Sequence, residues 1–293
     1  NGVAVLIKTA TMFILNKILA VYVGPAGYAA IGQFQNFIQM ITTFAGSAIN
    51  TAVIKYTAEY HENEHQQISV WRAAGSLVLI FSFIFSLIIL IFQKELSLYI
   101  FQTTAYQSVF AWFAAFLVLF NLNALFLAIL NGKKEILKLV VANIVGSVLS
   151  LLVTSTLAIQ YHLYGALIAL SIYQSLAFFV TLFLCYKANW FKISYLFGRI
   201  EPQIAKNFAA FALMALVSAI CVPLSQMAIR SYLSQEFGLN YAGYWEAMIR
   251  LSAAYLMLVT TTLGVYYLPR LAELTHLDEI KKEVYLGYKF IFP

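Results

Sequence analysis

Charged residues are scarce in this sequence: Asp, Glu, Lys and Arg together make up only 10% of its 293 residues. A soluble globular domain carries about 25% charged residues. Here 62% of the chain is hydrophobic, and the mean hydropathy is +0.82. A soluble core cannot bury that much apolar surface, so the composition predicts a protein that spans a membrane.

Cysteine and histidine are also scarce, which excludes several kinds of site. The two cysteines, Cys185 and Cys221, lie in apolar segments and are interpreted as packing residues, without a disulfide or a metal. The four histidines fall in predicted loops, and no metal spacing, nucleophile elbow, phosphate loop or Gly-rich dinucleotide motif is present. We therefore expect neither an enzyme nor a cofactor. The net charge of +6 follows from the loop distribution described below and does not indicate nucleic-acid binding.

Long apolar segments dominate the chain, and each is long enough for a helix that crosses the bilayer, which needs about 20 residues. The eight predicted spans are 3–23, 29–54, 71–92, 107–130, 137–159, 165–186, 207–230 and 244–267. No segment alternates with period two, and an open sheet leaves its edges unsatisfied in lipid. The predicted fold class is an all-α polytopic membrane protein. The apolar run 285–293 begins a ninth helix but is too short to span, and the chain lacks an initial Met, so we expect a fragment.

The basic residues predict an orientation. One side of the predicted membrane collects 14 of the 18 Lys and Arg residues, the other side has only Lys94 and Arg230, and Lys17 and Arg250 are assigned to the membrane. Because Lys and Arg accumulate on the cytoplasmic side, the N-terminus and 133–138 are predicted to be cytoplasmic. The turns 24–28 and 160–164 are predicted to be periplasmic.

Helix 2 carries a polar stripe. At 3.6 residues per turn, its members fall within an arc of about 80°; they are Asn36, Gln39, Thr43, Ser47 and Asn50. Such residues can hydrogen-bond between packed helices. Alternatively, they line a hydrated cavity, which is the interpretation that five polar residues on one face favour.

Charges within the spans mark further candidates. Glu246 and Arg250 are spaced i, i+4, so they can pair on one helix face. Either they form a structural ion pair, or Arg250 binds an anion and Glu246 takes a proton. Lys17 lies deep in helix 1, where snorkelling to an interface is the alternative. Arg230 either caps the seventh predicted span, 207–230, or guards the outer mouth, and Pro223 within that span predicts a kink or hinge.

Several runs resemble the Wzx family of lipid-linked oligosaccharide flippases, in the multidrug/oligosaccharidyl-lipid/polysaccharide exporter superfamily. They are LAVYVGPAG at 19–27, KYTAEYH at 55–61, LMAL at 213–216 with Pro223 and Arg230, YYLPRL at 266–271 and YKFIFP at 288–293. The Gly-Pro-Ala-Gly turn is common in the superfamily, whereas the KYTAEYH run is more specific. The resemblance extends over essentially the whole chain.

The resemblance implies a twelve-helix bacterial inner-membrane protein with two six-helix lobes. Residues 1–190 would form the first lobe, 191–206 a cytoplasmic connection, and 207–293 the beginning of the second lobe. The implied substrate is an undecaprenyl-diphosphate-linked oligosaccharide of the O-antigen or enterobacterial common antigen type, moved from the cytoplasmic to the periplasmic leaflet. Implied partners are membrane lipid, a polysaccharide polymerase and a chain-length regulator.

The resemblance and the charges together suggest roles for the candidates. Lys17, Lys55 and Arg230 match cationic positions of the family. We expect Lys17 and Arg250 to hold the diphosphate, Lys55 and Arg270 to lie nearer the cytoplasmic entrance, and helix 2 to contact sugars. The lobes would then rock about a central site.

Two alternatives stay open. A multidrug or cation antiporter of the same superfamily should have an acidic, aromatic cavity. A membrane enzyme acting on the same lipid, such as an oligosaccharide polymerase, should have a large periplasmic loop with catalytic polar residues.

Overall fold

The computed structural model describes residues 2–188, 190–198, 201–262 and 285, and the described part of the chain is built from helices. The nine α-helices of that part are α1 Gly2–Tyr22, α2 Gly24–Phe44, α3 Asn50–Glu59, α4 Glu64–Ile91, α5 Gln93–Phe101, α6 Gln107–Gly132, α7 Ile136–Tyr186, α8 Pro202–Glu236 and α9 Leu239–Thr262.

All eight predicted spans fall on these helices, the last as far as the described residues extend, and the predicted all-α membrane fold is confirmed. By length and composition, four of the described helices qualify to cross a membrane, namely α4, α6, α7 and α8. The pair formed by α2 and the segment Ser47–Glu59 adds a fifth if it counts as one bent span. The α7 helix has 51 residues and breaks at His162, whose φ of 50° and ψ of −129° are not helical. It therefore contains the fifth and sixth predicted spans as two arms.

The second predicted span is not one straight helix. It bends by 66° between α2 and the 3₁₀ turn Ser47–Ile49 that leads into α3. Gly46 adopts a φ of 143° at the bend, a region that glycine reaches without steric cost. The prediction of one continuous span over 29–54 is wrong for this reason.

Two aromatic clusters form the core. Phe34 and Phe37, in the middle of α2, pack edge-to-face with Phe110 and Phe113 near the start of α6. Trp71 packs near the opposite end of the bundle with Phe126, Phe178 and Phe191 in a second cluster. Outside this core, α4 exposes a row of large apolar side chains, including Phe83 at 68% exposure. A lipid environment explains such a row, since soluble surfaces rarely carry large apolar patches.

The connection that follows α7 contacts residues at the end of α6 and the start of α7. Trp190 donates through Nε1 to Glu135 Oε1 at 2.9 Å, and Lys138 Nζ lies 3.1 Å from the same oxygen. The hydrogen bond from Trp190 and the nearby lysines lower the pKa of the Glu135 carboxyl. Lys133 Nζ lies over the rings of both Trp71 and Trp190, at 5.4 Å and 5.3 Å from their centroids.

Candidate functional site

Three charged side chains form a buried cluster where α8 and α9 pack against α2. The Arg230 guanidinium, only 2% exposed, pairs through Nη1 with Glu246 Oε2. Arg250 Nε lies 2.8 Å from the other carboxylate oxygen, Oε1. Taking ions out of water costs several kcal/mol each unless close pairing offsets the loss. With two guanidiniums on one carboxylate, the cluster keeps a net positive charge.

Amide side chains from α1 and α2 accept hydrogen bonds from both guanidiniums. Gln33 Oε1 accepts from Arg230 Nε at 3.3 Å. Gln35 Oε1 accepts from Arg250 Nη2, and Asn16 Oδ1 accepts from Arg250 Nη1 at 3.5 Å. One donor, Nη2 of Arg230, is buried without a hydrogen-bond partner in the described part of the chain. These contacts join the first two helices to the last two.

Two glycines allow the helices to approach closely enough for these contacts. A Cβ on Gly32 of α2 would lie 2.4 Å from Glu246 Cδ and 2.6 Å from Arg230 Nη1. A Cβ on Gly243 of α9 would lie 1.8 Å from the carbonyl oxygen of Pro25. Any larger residue at either position would push α9 away from α2.

A cavity of about 510 Å³ opens beside the cluster. The walls come from α1, α2, α6, both arms of α7, and α9. Uncharged polar side chains are prominent in its lining, and the charged side chains there, among the described residues, are Lys8, Glu246 and Arg250. The uncharged polar members are Thr11, Asn16, Gln35, Asn123, Asn143, Ser147, Ser150, Tyr173, Gln174 and Thr181.

A second cavity of about 240 Å³ adjoins the first. Both are lined by Gln35, Leu170, Tyr173 and Gln174, so these four residues stand between them. The remaining lining residues of the smaller cavity are Ile38, Gln39, Thr42 and Phe120. We refer to the two spaces as the larger and the smaller cavity.

The structure brings some of the predicted residues together. Glu246 and Arg250 pair as the i, i+4 spacing predicted, and both line the larger cavity. Gln39 lines the smaller one. Arg230 belongs to the cluster through its pairing with Glu246 but lines neither cavity. Because α8 continues to Glu236, the interpretation of Arg230 as a helix cap is wrong.

The rest of the polar stripe on helix 2 does not line either cavity. Asn36 donates to the Pro223 carbonyl of α8 at 3.4 Å, which is the packing role that was the alternative. Thr43 donates to the carbonyl of Gln39, one turn earlier on its own helix. Asn50 begins α3, beyond the bend. It therefore does not share the helix face that it would share with the other stripe residues in a straight helix.

The two other predicted cations within the described residues, Lys17 and Lys55, are not part of the cluster. Lys17 is exposed on α1 and forms no hydrogen bond or ion pair within the described part of the chain. Lys55 lies near the Phe211 ring of α8, with Nζ 5.4 Å from its centroid. Arg270 lies outside the described residues. The roles predicted for these three residues in binding stay predictions, as does the hinge at Pro223, which lies inside α8.

Sequence reasoning missed the polar wall contributed by α7. Asn143, Gly146, Ser147 and Ser150 follow the spacing i, i+3, i+4, i+7, which places them on one helix face. That spacing is a readable signal for a polar or closely packed surface. Gln35 was missed because the predicted stripe followed the Asn36 and Gln39 face.

Within the described residues, no group of three or more His, Cys, Asp or Glu side chains could hold a metal ion. The polar groups that line the two cavities are amides, hydroxyls, the Lys8 amine and the paired side chains of Glu246 and Arg250.

A model of the family described as "Polysaccharide biosynthesis protein" matches residues 1–275. The chain belongs to this family. Its relatives include the Lipid III flippases of Escherichia coli (strain K12) and Shigella flexneri, each 29% identical over 296 aligned residues. The alignment covers the whole chain and 70% of each relative, so this family member spans about 70% of their length.

Solved structures show the fold that this family member shares. An inward-facing MATE transporter of the MOP superfamily superimposes with a TM-score of 0.73 at 15% identity, covering 96% of this chain and 67% of that one. The MATE multidrug transporter DinF-BH superimposes with a TM-score of 0.70 at 17% identity, covering 98% of this chain and 66% of that one. The polytopic transporter fold that the resemblance implied is confirmed.

Proposed function

We propose that this protein translocates an undecaprenyl-diphosphate-linked oligosaccharide from the cytoplasmic to the periplasmic leaflet of the bacterial inner membrane. The observation that carries the proposal is the position of Arg250. Its guanidinium lines a polar cavity within a membrane-spanning bundle, in a chain related over its full length to Lipid III flippases.

Arg250 can bind a diphosphate without giving up its present contacts. A guanidinium has five N–H donors in a planar fork. Three bonds of Arg250 go to Glu246, Gln35 and Asn16, which leaves two donors for a ligand. Charge-assisted bonds from a guanidinium to phosphate oxygens are roughly twice as strong as bonds between neutral groups, because both partners are ionised. The surplus positive charge of the cluster supports the binding of an anion.

The uncharged walls of the larger cavity suit the glycan. Sugar hydroxyls both donate and accept hydrogen bonds, as the amides of Asn123, Asn143 and Gln174 do. The apolar tail would remain in the bilayer. A cation-exporting alternative would need an acidic cavity, whereas the ionisable groups lining this one are two bases and one acid.

Transport further requires that the lobes separate on the outer side. Gln33 and Gln35 on α2 hold Arg230 and Arg250 on α8 and α9, so these bonds must break when the outer side opens. We place 1–190 in the first lobe and 207–293 in the second, with the N-terminus cytoplasmic and 191–206 as the connection. Release at the periplasmic face would deliver the glycan to a polymerase and a chain-length regulator.

Deletion of the gene tests the function directly. We expect one undecaprenyl-diphosphate-linked glycan to accumulate, and mass spectrometry of extracted lipids would identify it. Wild-type protein and Lys94→Gln, an exposed cation of α5, should both restore normal levels. Arg250→Gln, at equal expression, should not. Unchanged lipid-linked glycans in the deletion strain would contradict the proposal.

A further inference from the structure

The two cavities separate charged from uncharged chemistry. Among the described residues, the charged side chains that line either space are Lys8, Glu246 and Arg250, and all three line the larger cavity. In the described part of the chain, the smaller cavity is lined by three amides, the hydroxyls of Thr42 and Tyr173, two aromatic rings and two aliphatic residues. A ligand that occupies both spaces would therefore place its anionic group in the larger cavity and an uncharged group in the smaller.

We propose that the smaller cavity binds a single uncharged sugar ring of the glycan, and that Gln39 and Gln174 determine which sugar is accepted. This inference rests on the proposed function, because it assigns a part of the same substrate to a second compartment. At about 30 Å³ per water molecule, the volume of about 240 Å³ equals about eight waters, which suits one ring and not several.

The smaller cavity has the two kinds of surface that a sugar ring requires. Tyr173 and Phe120 supply aromatic faces for the apolar C–H face of a ring. Gln35, Gln39 and Gln174 supply amides for its hydroxyls. An anionic sugar would enter a space without a lining cation, which is costly when the charge loses its water. The lining thus favours a neutral ring over a uronate.

Hydrogen bonds hold Gln174 in one orientation. Its Oε1 accepts from Asn123 Nδ2 at 3.2 Å, and its Nε2 donates to the Tyr173 hydroxyl at 3.2 Å. Thr181 fixes Asn123 in turn, with Oγ1 donating to Asn123 Oδ1 at 2.8 Å. One N–H of Gln174 remains for a ligand, and its direction is set before the ligand arrives. Such preorganisation lowers the entropic cost of binding.

Gln39 and Gln35 complete the compartment. The Gln39 side chain is exposed and forms no hydrogen bond within the described residues, so its amide can both donate to and accept from a ring. Gln35 accepts from Arg250 through Oε1 and keeps its NH₂ group. Gln35 therefore contacts the charged cluster and also lines the smaller cavity.

Binding of two matched probes to the purified full-length protein in nanodiscs tests the inference. The probes are farnesyl diphosphate, and farnesyl diphosphate that carries one neutral N-acetylhexosamine. Gln39→Leu and Gln174→Leu should each weaken binding of the sugar-bearing probe about three- to tenfold, the effect of one lost hydrogen bond. Binding of farnesyl diphosphate should not change. Gln160→Leu, an exposed glutamine of α7 outside both cavities, is the matched control.

The outcomes separate this inference from the proposed function. Arg250→Gln should weaken the binding of both probes. Unchanged binding of the two probes to this variant would contradict the proposed function. If Arg250→Gln behaves as expected but neither glutamine variant discriminates between the probes, the inference is overturned. A probe with a hexuronic acid in place of the neutral sugar should bind more weakly to wild type, and equal or tighter binding would also overturn it. Gln39 is exposed, so Gln39→Leu keeps the test valid even if Gln174→Leu fails to fold.

Discussion

At the scale of single residues, Glu246 holds the charged cluster together. It is the carboxylate that pairs with both Arg230 and Arg250, and all three side chains are largely removed from solvent. Glu246→Gln would leave two neighbouring guanidiniums without their counter-charge. Breaking a buried pair in this way costs about 3–5 kcal/mol. We expect a clear fall in the unfolding temperature of the detergent-purified variant.

Glu236→Gln is the control for this prediction, because Glu236 is exposed at the end of α8. Its unfolding temperature should match that of wild type. If Glu246→Gln also kept wild-type stability but uncoupled export from the proton gradient, Glu246 would be a proton carrier and its structural role would be rejected.

A substitution at Gly32 tests the same contact independently, because it changes the size of the side chain without changing any charge. Gly32→Ala should lower stability by an amount typical of overpacking, about 1–3 kcal/mol, because its Cβ would overlap Glu246 and Arg230. Gly146→Ala, in α7, should be tolerated, since the nearest atom to its Cβ is Ala177 Cβ at 3.8 Å. Thermal unfolding of the two variants side by side measures the difference. Equal stability of both would show that α2 and α9 are not tightly packed.

Sequence could predict only part of this site, and the reason is distance along the chain. The Glu246–Arg250 pair follows from helical spacing, which is local. The amide partners of the two arginines, Gln33 for Arg230 and Gln35 for Arg250, lie on α2, far from α8 and α9 in the sequence. No periodicity connects them, so they emerge only when α2 packs against α8 and α9.

At the scale of elements, the bend after α2 is stabilised by a small polar network. Asn121 of α6 donates to Ser82 Oγ at 2.9 Å, and Ser82 donates to the Ala45 carbonyl at 3.0 Å. Ser47 donates to Asn121 Oδ1 at 3.2 Å. These bonds satisfy backbone and side-chain groups where the helical ladder is interrupted.

Asn121→Ala should therefore lower the free energy of unfolding by about 1–3 kcal/mol, the cost of leaving buried polar groups unpaired. Asn131→Ala, on the exposed end of the same helix, is the control and should have little effect. Chemical denaturation monitored by tryptophan fluorescence would measure both. If the denaturation midpoint of Asn121→Ala equalled that of wild type, Gly46 alone would be sufficient to stabilise the bend.

Hydropathy located the helices well but their breaks and beginnings poorly. The apolar runs are dictated by the lipid, so their positions can be read from composition. The start of α4 at Glu64, by contrast, depends on Asn63, whose side chain accepts a hydrogen bond from the Gln66 backbone. This polar first turn carries no hydropathy signal, so the predicted span 71–92 begins about two turns inside α4.

At the scale of the whole molecule, the asymmetry of Lys and Arg predicts the orientation. In a variant whose native Cys185 and Cys221 are replaced, we would place one cysteine at Glu62, in the loop before α4, or at Tyr161, before the break of α7. Both positions are exposed. A membrane-impermeant thiol reagent added outside intact spheroplasts should label Tyr161→Cys and leave Glu62→Cys unlabelled. The opposite labelling pattern would reverse the proposed orientation.

The most direct test of the central claim is the movement of the substrate between leaflets. Purified full-length protein would be reconstituted into vesicles with a polyisoprenyl-diphosphate oligosaccharide, and a glycosidase added outside would report the glycan that reaches the outer leaflet. Wild type should accelerate this transfer over protein-free vesicles, and Arg250→Gln should lower the rate by at least about tenfold, since a lost buried charge contact costs about 2–5 kcal/mol. A wild-type rate equal to that of empty vesicles, or a folded Arg250→Gln variant as fast as wild type, would contradict the account.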